Sequence, residues 1–272
     1  MNEEIFNKLS EKYDSLFIEN IEAFKKAANS AGEYCVFYPS FGIRNNEKCD
    51  FLILGQAPNG WSPNFKTSDT LNSIKLCQES YEYSNSYCKD FKEREHNPLD
   101  WVNVYWSKST YQNEISNNAC KDFYEKLDYF TFHSFFWNVV YKTICDYNKN
   151  EFKDGRNSWE WTKKMVWSNL YKIAPADGNN PDDYEQEWQR KLSLELIKRE
   201  IDELNPKFCI VITNLSWWEP FQEFLKPTNI REYETEEIQS MQSYNNTKII
   251  VTKRPACGKS DNYANEILKI IK

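Results

Sequence analysis

The sequence predicts an α/β fold, a three-layer α/β/α domain built on a central four-stranded, mostly parallel sheet. Four strand candidates fall at residues 51–54, 165–172, 208–213 and 248–252, and the first is a continuous apolar run that stops at Gly55. Continuous apolar runs of that length are the pattern of strands buried on both faces. Helical text separates the runs, which implies right-handed crossovers between parallel neighbours. At 272 residues the chain is long enough for one large core, so a single domain over 1–272 is expected.

Taken in order, Ile5, Leu9, Leu16, Ile21 and Phe24 fall at helical spacing among charges, predicting one or two amphipathic helices laid over a sheet face. The first strand, 51–54, stops at Gly55. About a hundred residues then precede the second strand, too many for a simple crossover, and 66–163 is expected to be a helical insertion. Its aromatic text, such as Phe130 to Trp137, reads as helix packed on the sheet, and the polar 78–97 as an exposed connection. Asn180-Pro181-Asp182-Asp183 then opens a long helix, with Asn180 as the cap and Pro181 in the first turn, ending near Leu204 before Asn205-Pro206. The third strand, 208–213, is rich in β-branched residues; a helix begins near Ser216, the fourth strand follows, and Ser260 is placed to cap a last helix.

Composition narrows the function classes. Lys plus Arg number 34 against 41 Asp plus Glu, a net charge of -7 that gives no global attraction to nucleic acid or anionic membranes. Any nucleic-acid contact is expected to be local. The N-terminus lacks a signal-peptide pattern and no run approaches eighteen apolar residues, so the expected location is cytoplasmic, with no membrane partner. Eight cysteines contain no C-x-x-C pair, so neither a zinc site nor a disulfide framework is expected and most should be buried thiols. Aromatics reach 16%, with 10 Trp and 17 Tyr, which suits a thick core or stacking surfaces.

In such sheets ligands bind beyond the carboxyl ends of the strands. Those ends carry Leu54-Gly55-Gln56-Ala57-Pro58-Asn59-Gly60-Trp61; Trp167-Ser168-Asn169-Leu170-Tyr171-Lys172, followed by Pro175 and Gly178-Asn179-Asn180-Pro181; Asn214; and Val251-Thr252-Lys253-Arg254-Pro255-Ala256. Taken in order they resemble the uracil-DNA glycosylase superfamily. The first is similar to that family's Gly-Gln-Asp-Pro or Gly-Glu-Ala-Pro-Gly opening. The next strand end resembles the Thr-Asn-Val-Val-Lys stretch and the following Pro and Asn-Arg-x-Pro of its thermophilic branch. Leu204-Asn205-Pro206-Lys207 matches a Leu-x-Pro-Lys segment, and Arg254-Pro255-Ala256 stands where His-Pro-Ser is expected. The resemblance covers roughly residues 48–70 and 164–272. It implies the four-stranded sheet, a site at the strand ends, and recognition of a nucleobase, with DNA or a free base or nucleoside as partner and no cofactor. This chain departs from it in places: Ala57 stands where the uracil-specific branch has its water-activating Asp, although other branches carry Ala there, Arg254 replaces the catalytic His, and Ile173 replaces a cysteine of the iron-sulfur branch.

The candidate residues have chemistry suited to that role. Asn169 can both accept from and donate to a base edge, or simply cap a loop. Arg254 offers a permanent cation for a base oxygen or a phosphate, or an ordinary surface ion pair. Gln56, with the backbone amides of the Ala57 to Gly60 loop, can place water or sugar, or form a plain strand-to-helix turn. Trp61 and Phe65 can stack on a base or pack in the core. Gln56 and Arg254 are the expected catalytic pair of an N-glycosidase; Ala57, Pro58, Trp61, Phe65 and Asn169 are the expected base contacts. The alternative is a catalytically inactive module for nucleobases, nucleotides or single strands. A third reading puts a small-molecule hydrolase in the insertion. Asn214 is expected to cap its helix, and His133 to sit in the core. Lys253, Arg254, Lys259 and Lys269 form the one modest basic cluster near the expected site. Cys257-Gly258-Lys259-Ser260 ends like a phosphate loop but has Lys253 where that motif needs its first glycine.

Overall fold

The computed structural model describes residues 3–28, 32–43, 48–70, 72–86, 97–99, 101–102, 131, 134–150, 159–233, 235–255 and 259–272. The four expected strands are β3 (Phe51–Gly55), β5 (Met165–Asn169), β7 (Phe208–Ile212) and β10 (Thr247–Thr252). They lie side by side in the order β5-β3-β7-β10 with all three contacts parallel. The sheet itself has seven strands rather than four. β2 (Ser40–Phe41) adds antiparallel to β5 at one edge, while β9 (Ile238–Tyr244) and β8 (Thr228–Glu232) add antiparallel beyond β10. The strand expected over 165–172 stops at Asn169, not Lys172, because the chain turns there to leave the large sheet. It re-enters as β6 (Ile173–Pro175) in a separate antiparallel sheet with β1 (Glu33–Val36) and β4 (Asn64–Lys66).

Strand alternation sends successive side chains to opposite faces, and both faces are apolar. Leu52, Leu54, Val166, Val211 and Val251 face one core, and Phe51, Ile53, Met165, Ile210 and Ile250 face the other. The first is covered by α1 (Glu3–Ala27), α2 (Ser73–Ser86), α4 (Asp183–Leu204) and α5 (Leu215–Leu225), through residues such as Phe17, Phe24, Ile201 and Trp218. The other is covered by α3 (Phe135–Tyr147) and α6 (Ser260–Ile271), through Val140, Ile144, Ile267 and Ile271. The expected N-terminal helical text is thus one helix, whose Leu16, Ile21 and Phe24 pack on the first core.

α4 begins two residues later than its sequence suggests. Its cap is Asp182, whose carboxylate accepts from Glu185 N at 2.9 Å while Glu185 accepts from Asp182 N at 2.9 Å, and Asn205 closes it in the left-handed region at φ 42°. The reciprocal capping box satisfies two backbone donors, which Asn180 alone would not. Within the expected insertion, α2 occupies the start of the stretch read as an exposed connection, and α3 is the end of the aromatic text. Residues 87–96, Phe130, Phe132, His96, His133, Cys88, Cys120, Cys257 and Gly258 lie outside the described residues, as do the side chains of Ile5 and Leu9. Cys35, Cys49, Cys77, Cys145 and Cys209 are buried and free. Among the described residues no helix is long and apolar enough to cross a membrane.

Candidate functional site

Two loops leave the carboxyl ends of β3 and β5, and backbone hydrogen bonds tie them to each other. Leu170 N donates to Gly55 O at 2.9 Å and Tyr171 N to Gln56 O at 3.0 Å. The small sheet holds their far ends, with Val36 N donating to Pro63 O at 3.1 Å and Phe37 N to Lys172 O at 2.9 Å. Gly55 and Asn169 are partners in the last register pair of β3 and β5. A Cβ on Gly55 would lie 2.3 Å from Asn169 Oδ1 and 3.7 Å from Phe136 Cε2, so the missing side chain is what lets the Asn169 amide lie across the strand end. Asn169 is 2% exposed, and its Nδ2 has no hydrogen-bond partner among the described residues. A buried donor left unpaired costs about 1–3 kcal/mol.

The loops also meet through side chains. Because the helix cap is Asp182, Asn180 stays outside α4 and donates to Gln56 Oε1 at 3.2 Å. Gly178, at φ +89°, leaves room for Asn59, whose Oδ1 stands 2.7 Å from where a Cβ would be.

Gln56, Ala57, Pro58, Trp61, Asn169 and Arg254 all line one cavity of about 540 Å³. It opens where the chain leaving β3 crosses towards β5 and the chain leaving β7 crosses the other way towards β10, the switch point at which ligands of open α/β sheets bind. Phe65 is the exception among the expected base contacts. It lies in β4 opposite Tyr34, 3% exposed, with ring centroids 5.9 Å from Tyr34 and 6.5 Å from Phe24. Its alternation within a strand turns it into the α1-side core, so it is a packing residue.

The walls are rich in aromatic side chains, and of the four indoles among them only Trp61 was expected as a base contact. Trp61, Trp101, Trp137 and Trp167 all line the cavity. Trp167 stands edge-to-face on Trp61 at 5.1 Å and on Trp137 at 5.0 Å, and Trp101 is 5.7 Å from Trp61 and 5.5 Å from Trp137. Phe37 abuts Trp167 at 4.6 Å, and Trp61 Nε1 donates to Ser84 Oγ at 3.1 Å, anchoring the cluster to α2. The available signal was the high Trp count; spacing along the chain could not reveal that residues so far apart converge.

Arg254 stands exposed at the rim, and among the described residues its guanidinium makes no ion pair. Its loop is fixed by Asn214, whose Oδ1 accepts from Arg254 N at 2.9 Å. Asn214 therefore does not cap α5 with its side chain, as its position suggested, because that oxygen is spent on the neighbouring strand end. The expected basic cluster is divided: Lys259 pairs with Glu236 and Lys269 with Glu266, leaving Lys253 beside Arg254. No described carboxylate lines the cavity. Among the described residues no group of three or more His, Cys, Asp or Glu could hold a metal ion.

Behind the cavity wall, on the other face of β5, lies a fully buried ion pair. Lys172 Nζ donates to Ser168 Oγ at 2.6 Å, Asn169 O at 2.6 Å and Glu200 Oε1 at 2.7 Å, and Tyr13 OH donates to the same carboxylate oxygen at 2.7 Å. Burial pulls the Lys172 ammonium below its ordinary range, and Glu200 opposes that pull. Gln189 of α4 completes the turn, accepting from Lys172 N and Ile173 N, each at 3.1 Å.

Flat apolar walls, neutral amides and one rim cation can hold a planar heteroaromatic ring with a polar edge, and favour a neutral or anionic one. No family model matches the chain, and no curated protein matches it.

Proposed function

We propose that the protein recognises a nucleobase in the cavity at the strand ends, as a divergent member of the uracil-DNA glycosylase-like superfamily. One observation carries the reading: six residues named from three separate strand ends line a single cavity whose Asn169 Nδ2 lacks a partner among the described residues. A cavity of about 540 Å³ lies within the usual range for small-molecule sites. In this reading Asn169 meets the polar edge of the base, the indoles flank its faces, and Arg254 sits against a base oxygen or a phosphate. The partner is DNA or a free base or nucleoside, met through local contacts because the chain as a whole is acidic.

Removal of the base from DNA is a second reading, and the Arg254 guanidinium, which makes no ion pair among the described residues, favours it. Water would add to the sugar carbon, the bond to the base would break, and the base would leave as an anion offset by the guanidinium before taking up a proton. Gln56 would place the water. The lack of a described carboxylate in the lining favours binding over turnover.

The test is a panel of oligonucleotides carrying uracil, hypoxanthine or xanthine, incubated with the protein and treated with alkali, beside melting curves with the free bases. A free base is expected to raise Tm, and Asn169→Ala to abolish the rise. Strand breaks would establish turnover. Neither a break nor a shift with any base would refute the reading.

A further inference from the structure

We infer that Lys172 is a positioning residue for Asn169, held in turn by Glu200 of α4 and Tyr13 of α1; this rests on the nucleobase reading above. Residues 165, 167 and 169 of β5 face the cavity side and 166 and 168 the opposite side, as their division between the two cores shows. The ammonium reaches the strand from behind and grips two consecutive residues, Ser168 through its hydroxyl and Asn169 through its carbonyl. All three ammonium protons are thereby used, the third on Glu200. The carbonyl is fixed from behind, which holds the backbone that carries the Asn169 side chain, and Gly55 in front leaves the room its amide occupies.

Stability alone does not account for this arrangement. A fully buried ion pair generally gains no stability over apolar side chains of the same volume, because taking both charges out of water offsets their attraction. Glu200 is moreover left with one oxygen, Oε2, that has no partner among the described residues. What the network supplies is a fixed point spanning three elements, directly behind the unpaired amide of the cavity. Preorganising a polar contact in this way is worth most where the contact must discriminate between similar edges.

The deciding experiment replaces the network by apolar groups of like volume, Lys172→Met with Glu200→Met and Tyr13→Phe, and measures the ratio of dissociation constants for free cytosine and free uracil. The triple variant is expected to melt close to the wild type while the ratio falls about tenfold, the worth of one well-placed hydrogen bond. The side-chain amide resonances of Asn169, read by NMR without ligand, are expected to shift and broaden. An unchanged ratio and unchanged resonances would make the pair purely structural and overturn the inference. If the triple variant does not fold, Ser168→Ala decides, with the same resonances expected to shift and the same overturning result. If the wild type binds neither base, the nucleobase reading fails, and the Asn169 resonances still decide the role of Lys172.

Discussion

The smallest determinant of the cavity is a hydrogen atom, the one Gly55 carries in place of a side chain. Gly55→Ala drives a methyl group to within 2.3 Å of Asn169 Oδ1, and since that oxygen ends a rotatable side chain the amide swings away rather than the strand breaking. The expected outcome is a stability loss of about 1 kcal/mol, a Tm drop of about 2–4 °C, and loss of base binding by about tenfold or more. Calorimetric melting and titration with the free base check it; retained binding would show that Asn169 does not meet the ligand. The same residue shows what the sequence could and could not convey. A glycine and an asparagine at two strand ends mark a site by type and place, because strand ends in parallel sheets gather ligands. That one exists to accommodate the other depends on register, which neither local sequence contains. Phe65 failed for a related reason: an aromatic ten residues after Gly55 is equally apt for stacking or for the core, and its pairing with Tyr34 settled the choice.

Elements divide by how far local chemistry determines them. The four parallel strands were legible because both faces of each are largely buried, so each carries a run of apolar residues, unbroken in β3 and β7. β9 was not, because three of its buried positions are Ile238, Ser240 and Gln242. Gln242 is satisfied inside by the indole of Trp218 at 3.1 Å and by Gln222, so a polar residue sits in the core at no net loss of hydrogen bonds. β8 is exposed along its whole length, and its register slips at a bulge next to Asn229, which has φ 53°. A bulged, charged edge discourages pairing with another sheet. At the start of α4, Asp182→Ala removes the reciprocal cap and is expected to cost about 1 kcal/mol, read as a lowered midpoint in urea with an unchanged slope. If Asn180→Ala proved the more damaging of the two, the cap assignment would be wrong.

For the molecule as a whole, the buried titratable groups set its tolerance of alkali. Burial, with Glu200 beside Tyr13 and Asp14 beside Tyr38, raises both phenols well above their ordinary value. Burial likewise pushes the Cys77 thiol up to about 12 and raises Cys49 and Cys209. The unfolded chain releases these protons at ordinary values while the folded one keeps them, so stability is full at neutral pH and falls as pH rises past about 8.5 and more steeply past about 10. Lys172, lowered in the fold, contributes the opposite slope, but one lysine stands against several acids. Urea unfolding across that range is expected to show the decline, with Tyr38→Phe shallower than wild type; a flat profile would contradict these burials. The small sheet β4-β1-β6 has a further consequence at this scale. By clamping the far ends of both strand-end loops it holds those two walls of the cavity in place before anything enters. A visiting ring would then meet these two loops already in place, its arrival governed by access past the rim and its dwell time by the contacts inside, with neither of the two having to order on the way in.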